Sequence, residues 1–248
     1  YLIYQHSNYF PTLFASSNDL WNWNAQRGAC YGQGVVNGHT GGWQVMTALS
    51  GAKLSNKTTE TGSKLFVNST LMGTSRYTTT VSNHQDHNSI FHREGNDFFA
   101  GDVAEIMIYN RALSDAECQQ VETYLYTKWF GTSFPSNVIR WPDEATGFDP
   151  HLAKKPIESP QPPVSDSINL HLDAEYVQRT PDGKNVFQWF DRSTKTRTFW
   201  QPDITKQPQY IENEANGRPV VRFDGSNDQF SSRIRLQSGS KNSIFAVV

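Results

Sequence analysis

Cysteine is scarce in this chain. There are two in 248 residues, Cys30 and Cys118, which excludes a disulfide-dense scaffold. The pair leaves open either a single bridge or two thiols, since a lone Cys behaves as a small buried hydrophobe. No Cys/His grouping has zinc-ligand spacing; His84 and His87 stand three apart in a polar stretch that reads as a solvated loop. Charge is also thin, at 19% Asp, Glu, Lys and Arg, and 22 basic residues offset 24 acidic ones for a net charge of −2. That near balance gives no electrostatic pull toward nucleic acid or anionic lipid. No apolar run reaches the length of a membrane span. There is no initiator Met and no signal-peptide pattern at the start. Gly-x-Ser-x-Gly, phosphate-loop and Gly-x-Gly-x-x-Gly signatures are missing, and Gly32-Gln-Gly34 and Gly41-Gly42 read as turns.

Aromatic residues, by contrast, make up 13% of the chain. With abundant Ser, Thr, Asn and Gln, they suit a pleated surface. Strand-like runs occur at Trp43–Leu49, at Lys64–Leu71 with a possible turn at Asn68-Ser69, and at Ser89–His92. In Val103–Tyr109 both alternating faces are largely apolar, which predicts a central strand with Glu105 as the exception. The period then changes. Ser114-Asp115-Ala116-Glu117 has capping-box spacing, and Cys118, Val121, Leu125 and Trp129 follow at helical spacing up to Gly131. This predicts a helix from Ser114 to about Phe130, with Cys118 buried on its apolar stripe. Seven prolines between positions 135 and 163 break the pattern, and residues 133–166 read as a Pro-rich linker. Beyond it, Ile168, Leu170 and Leu172 alternate with Asn169, His171 and Asp173, predicting a half-buried strand. Asn185–Asp191 and Val220–Phe223 are further strands, the latter followed by a turn at Asp224–Asp228.

Two stretches carry a resemblance. Phe99–Leu125, which contains Tyr109-Asn-Arg-Ala-Leu-Ser114, resembles the C-terminal end of bacterial laminin-G-like, concanavalin A-like jelly-roll domains. Leu170-His-Leu-Asp-Ala-Glu175, Val186-Phe-Gln-Trp-Phe-Asp-Arg-Ser193 and Gly217–Asp228 resemble the N-terminal half of the same domain type. The resemblance implies an all-β fold, an antiparallel β-sandwich with one short closing helix. It also implies a reversed order: residues 1–132 as a C-terminal half, 133–166 as linker, and 167–248 as the N-terminal half of a next repeat or subunit. Neither half covers its apolar face alone. The strand-like runs at both ends suggest a processed chain or a window from a longer protein. Completion across unit boundaries, in a repeat array or filament, is therefore the expectation, with a permuted monomer as the alternative.

Related sandwich folds host glucanases, whose chemistry needs two facing carboxylates. No Glu-x-Asp-x-Glu triplet is present, and Asp102 and Glu105, three apart, point to opposite faces of a strand. Glu105 reads as part of a local hydrogen-bond network, and Ser114 and Glu117 as structural. Calcium is a candidate at Asp224, Asn227 and Asp228, set against an Asx-type turn that uses the same oxygens. Sugar stacking is a candidate at Trp21, Asn22, Trp23 and Asn24, set against a core role for both Trp. Asn56-Lys-Thr58 and Asn68-Ser-Thr70 are glycosylation sequons. The expected function is a non-enzymatic extracellular adhesion or assembly module without a required cofactor. Its partners would be neighbouring copies or repeats, or glycans, and neither nucleic acid nor membrane. The alternatives are a carbohydrate-binding module of a larger secreted enzyme and, more weakly, a glycoside hydrolase.

Overall fold

The computed structural model describes residues 3–5, 11–17, 20–25, 31–32, 43–53, 61–75, 88–90, 92–93, 97–98, 100–132, 161–195, 197–232 and 242–248. The strands of the first region are β1 (Ile3–Gln5), β2 (Pro11–Ser17), β3 (Leu20–Ala25), β4 (Tyr31–Gly32), β5 (Val45–Lys53), β6 (Thr61–Val67), β7 (Thr70–Ser75), β8 (Asn88–Ile90), β9 (His92–Arg93), β10 (Asp97–Phe98), β11 (Ala100–Val103) and β12 (Glu105–Tyr109). Helix α1 (Asp115–Leu125) follows and runs into a π-helical turn, Tyr126–Phe130. The second region supplies β13 (Ile168–Arg179), β14 (Val186–Asp191), β15 (Thr198–Trp200), β16 (Gln209–Ala215), β17 (Arg218–Asp224), β18 (Phe230–Ser232) and β19 (Asn242–Val247). Every strand pairing is antiparallel. The architecture is the all-β sandwich expected, with one short helix.

One long sheet runs β4-β3-β2-β1-β8-β18-β15-β14-β13-β12-β19-β5-β6-β7, and a three-stranded sheet runs β11-β17-β16. The chain passes from the small sheet to the large one at Ala104. On one side of that residue Val103 pairs with Val221; on the other Glu105 pairs with Asp173. Between the layers, Phe230 makes edge contacts with Trp189 (6.0 Å) and Phe223 (6.1 Å). All residues of β12 are buried, as a central strand requires. The hairpin β6–β7 turns at Asn68 (φ 47°) and Ser69 (φ 66°), two left-handed residues that match strand twist. Asn68 Oδ1 accepts from the Val45 N–H at 2.9 Å, so this sequon asparagine ties its turn to the start of β5.

Helix α1 begins at a complete capping box. Ser114 Oγ accepts from the Glu117 N–H, and Glu117 Oε2 accepts from the Ser114 N–H at 2.8 Å. Arg111 clamps Glu117 with two parallel bonds of 2.9 and 2.7 Å, and this pairing holds the Glu117 carboxyl at a pKa of about 2. The same turn is tied to β19, where Leu113 N donates to Ser243 Oγ at 2.8 Å. Cys118, Val121, Leu125 and Trp129 are buried; each fully buried apolar side chain contributes about 1.5–3 kcal/mol, as an upper estimate. Cys30 lies outside the described residues. Gly131 ends the helix at φ 64°, where a Cβ would lie 2.7 Å from Asn216 Oδ1.

The two motif-bearing regions close on each other within one chain. β12 lies between β13 and β19, with Ile106 opposite Leu172 on one side and Ala246 on the other, and β19 continues to β5. Completion by a neighbouring unit was the expectation; here strands of both regions pair with each other in one chain. Closure within one chain avoids the entropy cost of association. Residues 133–160 of the linker lie outside the described residues. At its end, Val164 is buried and its carbonyl accepts from the Tyr109 hydroxyl at 3.0 Å. A second difference concerns β13. Its first half is not half-buried: Asn169, His171 and Asp173 are as enclosed as Leu170 and Leu172, because the helix end and Glu105 cover that face. β16 carries no alternation that marks it as a strand; it is held by pairing to β17.

Candidate functional site

The most concentrated polar chemistry among the described residues lies where α1 crosses β12 and β13. Glu105 from β12, Lys128 from the π-helical turn and Asp173 from β13 are fully buried. Lys128 Nζ sits 3.1 Å from Glu105 Oε2 and 2.7 Å from Asp173 Oδ2. Glu105 also accepts from the Trp129 indole (2.6 Å) and the Tyr124 hydroxyl (2.8 Å), and His171 Nε2 lies 2.6 Å from its other oxygen. Asp173 Oδ2 also accepts from Arg192 at 2.6 Å. Lys128 reaches Glu175 at 3.6 Å, and Glu175 in turn pairs with Arg218. Burial pushes the Glu105 carboxyl up, but the His171 hydrogen bond, the Lys128 charge and the Trp129 hydrogen bond outweigh it and leave a pKa of about 2. For Asp173 burial wins, with the Glu105 charge adding to it, and its pKa is raised.

The ligand atoms of Glu105, His171 and Asp173 lie within 4.8 Å of one another. That spacing could suit a metal or a carboxylate dyad. Both uses meet a physical obstacle. The Lys128 ammonium already supplies a cation between the two carboxylates, and a glycosidase pair must face a cleft wide enough for a sugar ring and water, whereas these groups are sealed under the helix. The arrangement serves as a lock: Glu105 and Lys128 come from the first region, His171, Asp173 and Arg192 from the second. Asp102 stands apart, in a two-pronged pair with Arg222 at 2.6 Å. Lys128 and Glu122 were not singled out in the sequence. Their signal was a charge placed on the apolar stripe of α1, a position that demands a buried partner. Glu122 finds the hydroxyls of Thr47 (2.7 Å) and Ser69 (2.6 Å).

At the calcium candidate, Asp224 Oδ1 accepts from the N–H groups of Ser226 (2.8 Å), Asn227 (3.1 Å) and Asp228 (3.3 Å). Asp228 Oδ2 accepts from the Asp224 N–H at 2.9 Å. The loop is an Asx-type turn that uses its own carboxylates. Burial raises the Asp228 carboxyl to a pKa of about 6, and the Asp224 N–H only partly offsets it. Asp224 stays low, since three backbone donors outweigh its burial. Trp21, Asn22, Trp23 and Asn24 form strand β3, paired with β2 and β4; their side chains lie outside the described ones. No helix of the structure is long and apolar enough to cross a membrane.

These features define an antiparallel β-sandwich whose buried charges join two regions of one chain. The family model of the concanavalin A-like lectin/glucanases superfamily matches residues 2–119. No curated protein and no solved structure matches the chain.

Proposed function

We propose that this chain is a non-enzymatic extracellular module that binds carbohydrate for adhesion. The superfamily match supports a carbohydrate-binding or adhesion-type role in general. The observation that carries the non-enzymatic reading is the enclosure of Glu105 and Asp173 around Lys128. A carboxylate pair that is neutralised and inaccessible can neither protonate a leaving group nor activate water. Attachment to a larger secreted enzyme as its binding module fits the same chemistry. The repeat-array reading draws its support from the order of the sequence motifs; the pairing of β12 with β13 and β19 in one chain weighs against it. Binding of the purified chain to immobilised glycans, followed by assay of the same glycans for released reducing ends, tests the proposal. Retention without cleavage is expected. Cleavage that survives Glu105→Gln, or any cleavage abolished by it, would overturn the non-enzymatic reading.

A further inference from the structure

We propose that the outer face of β13, β14 and β15 is the carbohydrate-binding platform, built by Tyr176, Phe190 and Trp200 for a neutral oligosaccharide. The inference rests on the reading of the chain as a carbohydrate binder and gives that reading a place. Alternation sends Trp189 and Phe199 into the core, fully enclosed, while their strand neighbours Phe190 and Trp200 stay 39% and 51% exposed. Tyr176 on β13 is 40% exposed. The register places Gln178 opposite Gln188, Gln188 opposite Trp200, and Phe190 opposite Thr198. With Tyr176 two residues from Gln178, the six side chains form two short rows across three adjacent strands, each row mixing aromatic and neutral polar groups. Neighbouring strands are about 4.8 Å apart, so the aromatics span about 10 Å, the length of a short sugar chain.

The chemistry selects the ligand class. Large aromatics normally find cover, and three of them exposed on one sheet face make a contact surface. Aromatic rings meet the C–H faces of pyranoses, while amides and hydroxyls in a fixed register meet ring hydroxyls. The face also matches a neutral ligand in charge. Of the six residues none is ionic, and Arg192, which lies 3.7 Å over the Tyr176 ring, has its charge matched by Asp173 at 2.6 Å. Among these six residues an acidic peptide or a phosphate chain would meet no cation. The rigid core beneath, with Trp189 bonded to the Asp173 carbonyl at 2.9 Å, holds the rings in place before the ligand arrives.

The test is titration of the full chain with neutral gluco-, manno- and xylo-oligosaccharides, followed by calorimetry and by NMR shifts. Trp200→Ala is expected to weaken the best ligand by about tenfold or more, and Phe190→Ala by less, with unchanged unfolding midpoints. Gln188→Ala, which keeps every aromatic, should also weaken binding and change the preference among sugars. Wild-type binding that Trp200→Ala and Phe190→Ala leave intact would overturn the site while the carbohydrate reading stands; loss on Trp23→Ala alone would move the site to β3. No binding to any member of the panel or to immobilised glycans would overturn that reading itself. Self-association of the chain abolished by Trp200→Ala would assign the face to a second copy and overturn the proposal.

Discussion

The two ends of β13 are built from similar polar and aromatic residues and meet opposite fates. His171 and Asp173 are enclosed with Glu105 and Lys128, whereas Tyr176 and Gln178 face solvent. The strand leaves β12 after Asp173 and goes on along β14 alone, through a register shift between Leu172 and Val177. Where α1 lies over the sheet, each charge needs a partner in place, and the polar residues become a lock between regions. Where the strand stays exposed, neutral residues suffice, and the same strand offers a surface. Position under the helix decides the role of a residue more than its type does.

The largest expected effect tests the enclosed end. Lys128→Met leaves two carboxylates buried without their shared cation and should cost about 3–5 kcal/mol, read from denaturant unfolding. Adding Glu105→Gln and Asp173→Asn should recover much of that loss, since the cost lies in uncompensated charge. A near-neutral Lys128→Met would break the comparison at its enclosed side. At the helix start, Ser114→Ala should cost about 1 kcal/mol, with Glu117 still clamped by Arg111.

Asp228 sharpens the contrast through pH. Its folded pKa of about 6 exceeds that of an unfolded aspartate, so the folded state holds the proton more tightly. Its stabilising contribution is present below the unfolded value of 3.8 and is lost as pH rises toward 6. Asp228→Asn keeps an acceptor for the Asp224 N–H and removes that loss. Stability should rise by about 1 kcal/mol at neutral pH, after allowance for solvent screening, and should be unchanged near pH 3. Equal stabilisation at both pH values would show that the carboxyl does not titrate upward. The smallest effect belongs to the open face: Trp200→Ala should shift stability by no more than about 0.5 kcal/mol.

The elements with a strong local period were legible in the sequence. The capping box at Ser114 and Glu117 marks the helix start, the doubly apolar Val103–Tyr109 marks a central strand, and Asn68-Ser69 marks a hairpin. What was not legible depended on partners remote in sequence. Asn169, His171 and Asp173 read as an outer face because the alternation of β13 says nothing about a helix more than forty residues earlier lying over it. Trp200 was passed over because β15 has three residues, too few to show a period, and only its pairing with β14 turns that side chain outward. Intrachain closure was the weighed alternative. Motif order states which halves are present, and it does not state which chain completes them.

The most direct test of that closure is the mass of the chain in solution, measured by sedimentation equilibrium over a wide range of concentration. Strands β12, β13 and β19 joined within one chain, around Glu105, Lys128 and Asp173, predict a single species of 28.1 kDa that does not change with concentration. Dimers or longer assemblies that lose their sheet structure on dilution would contradict it, and would return the pairing to neighbouring chains.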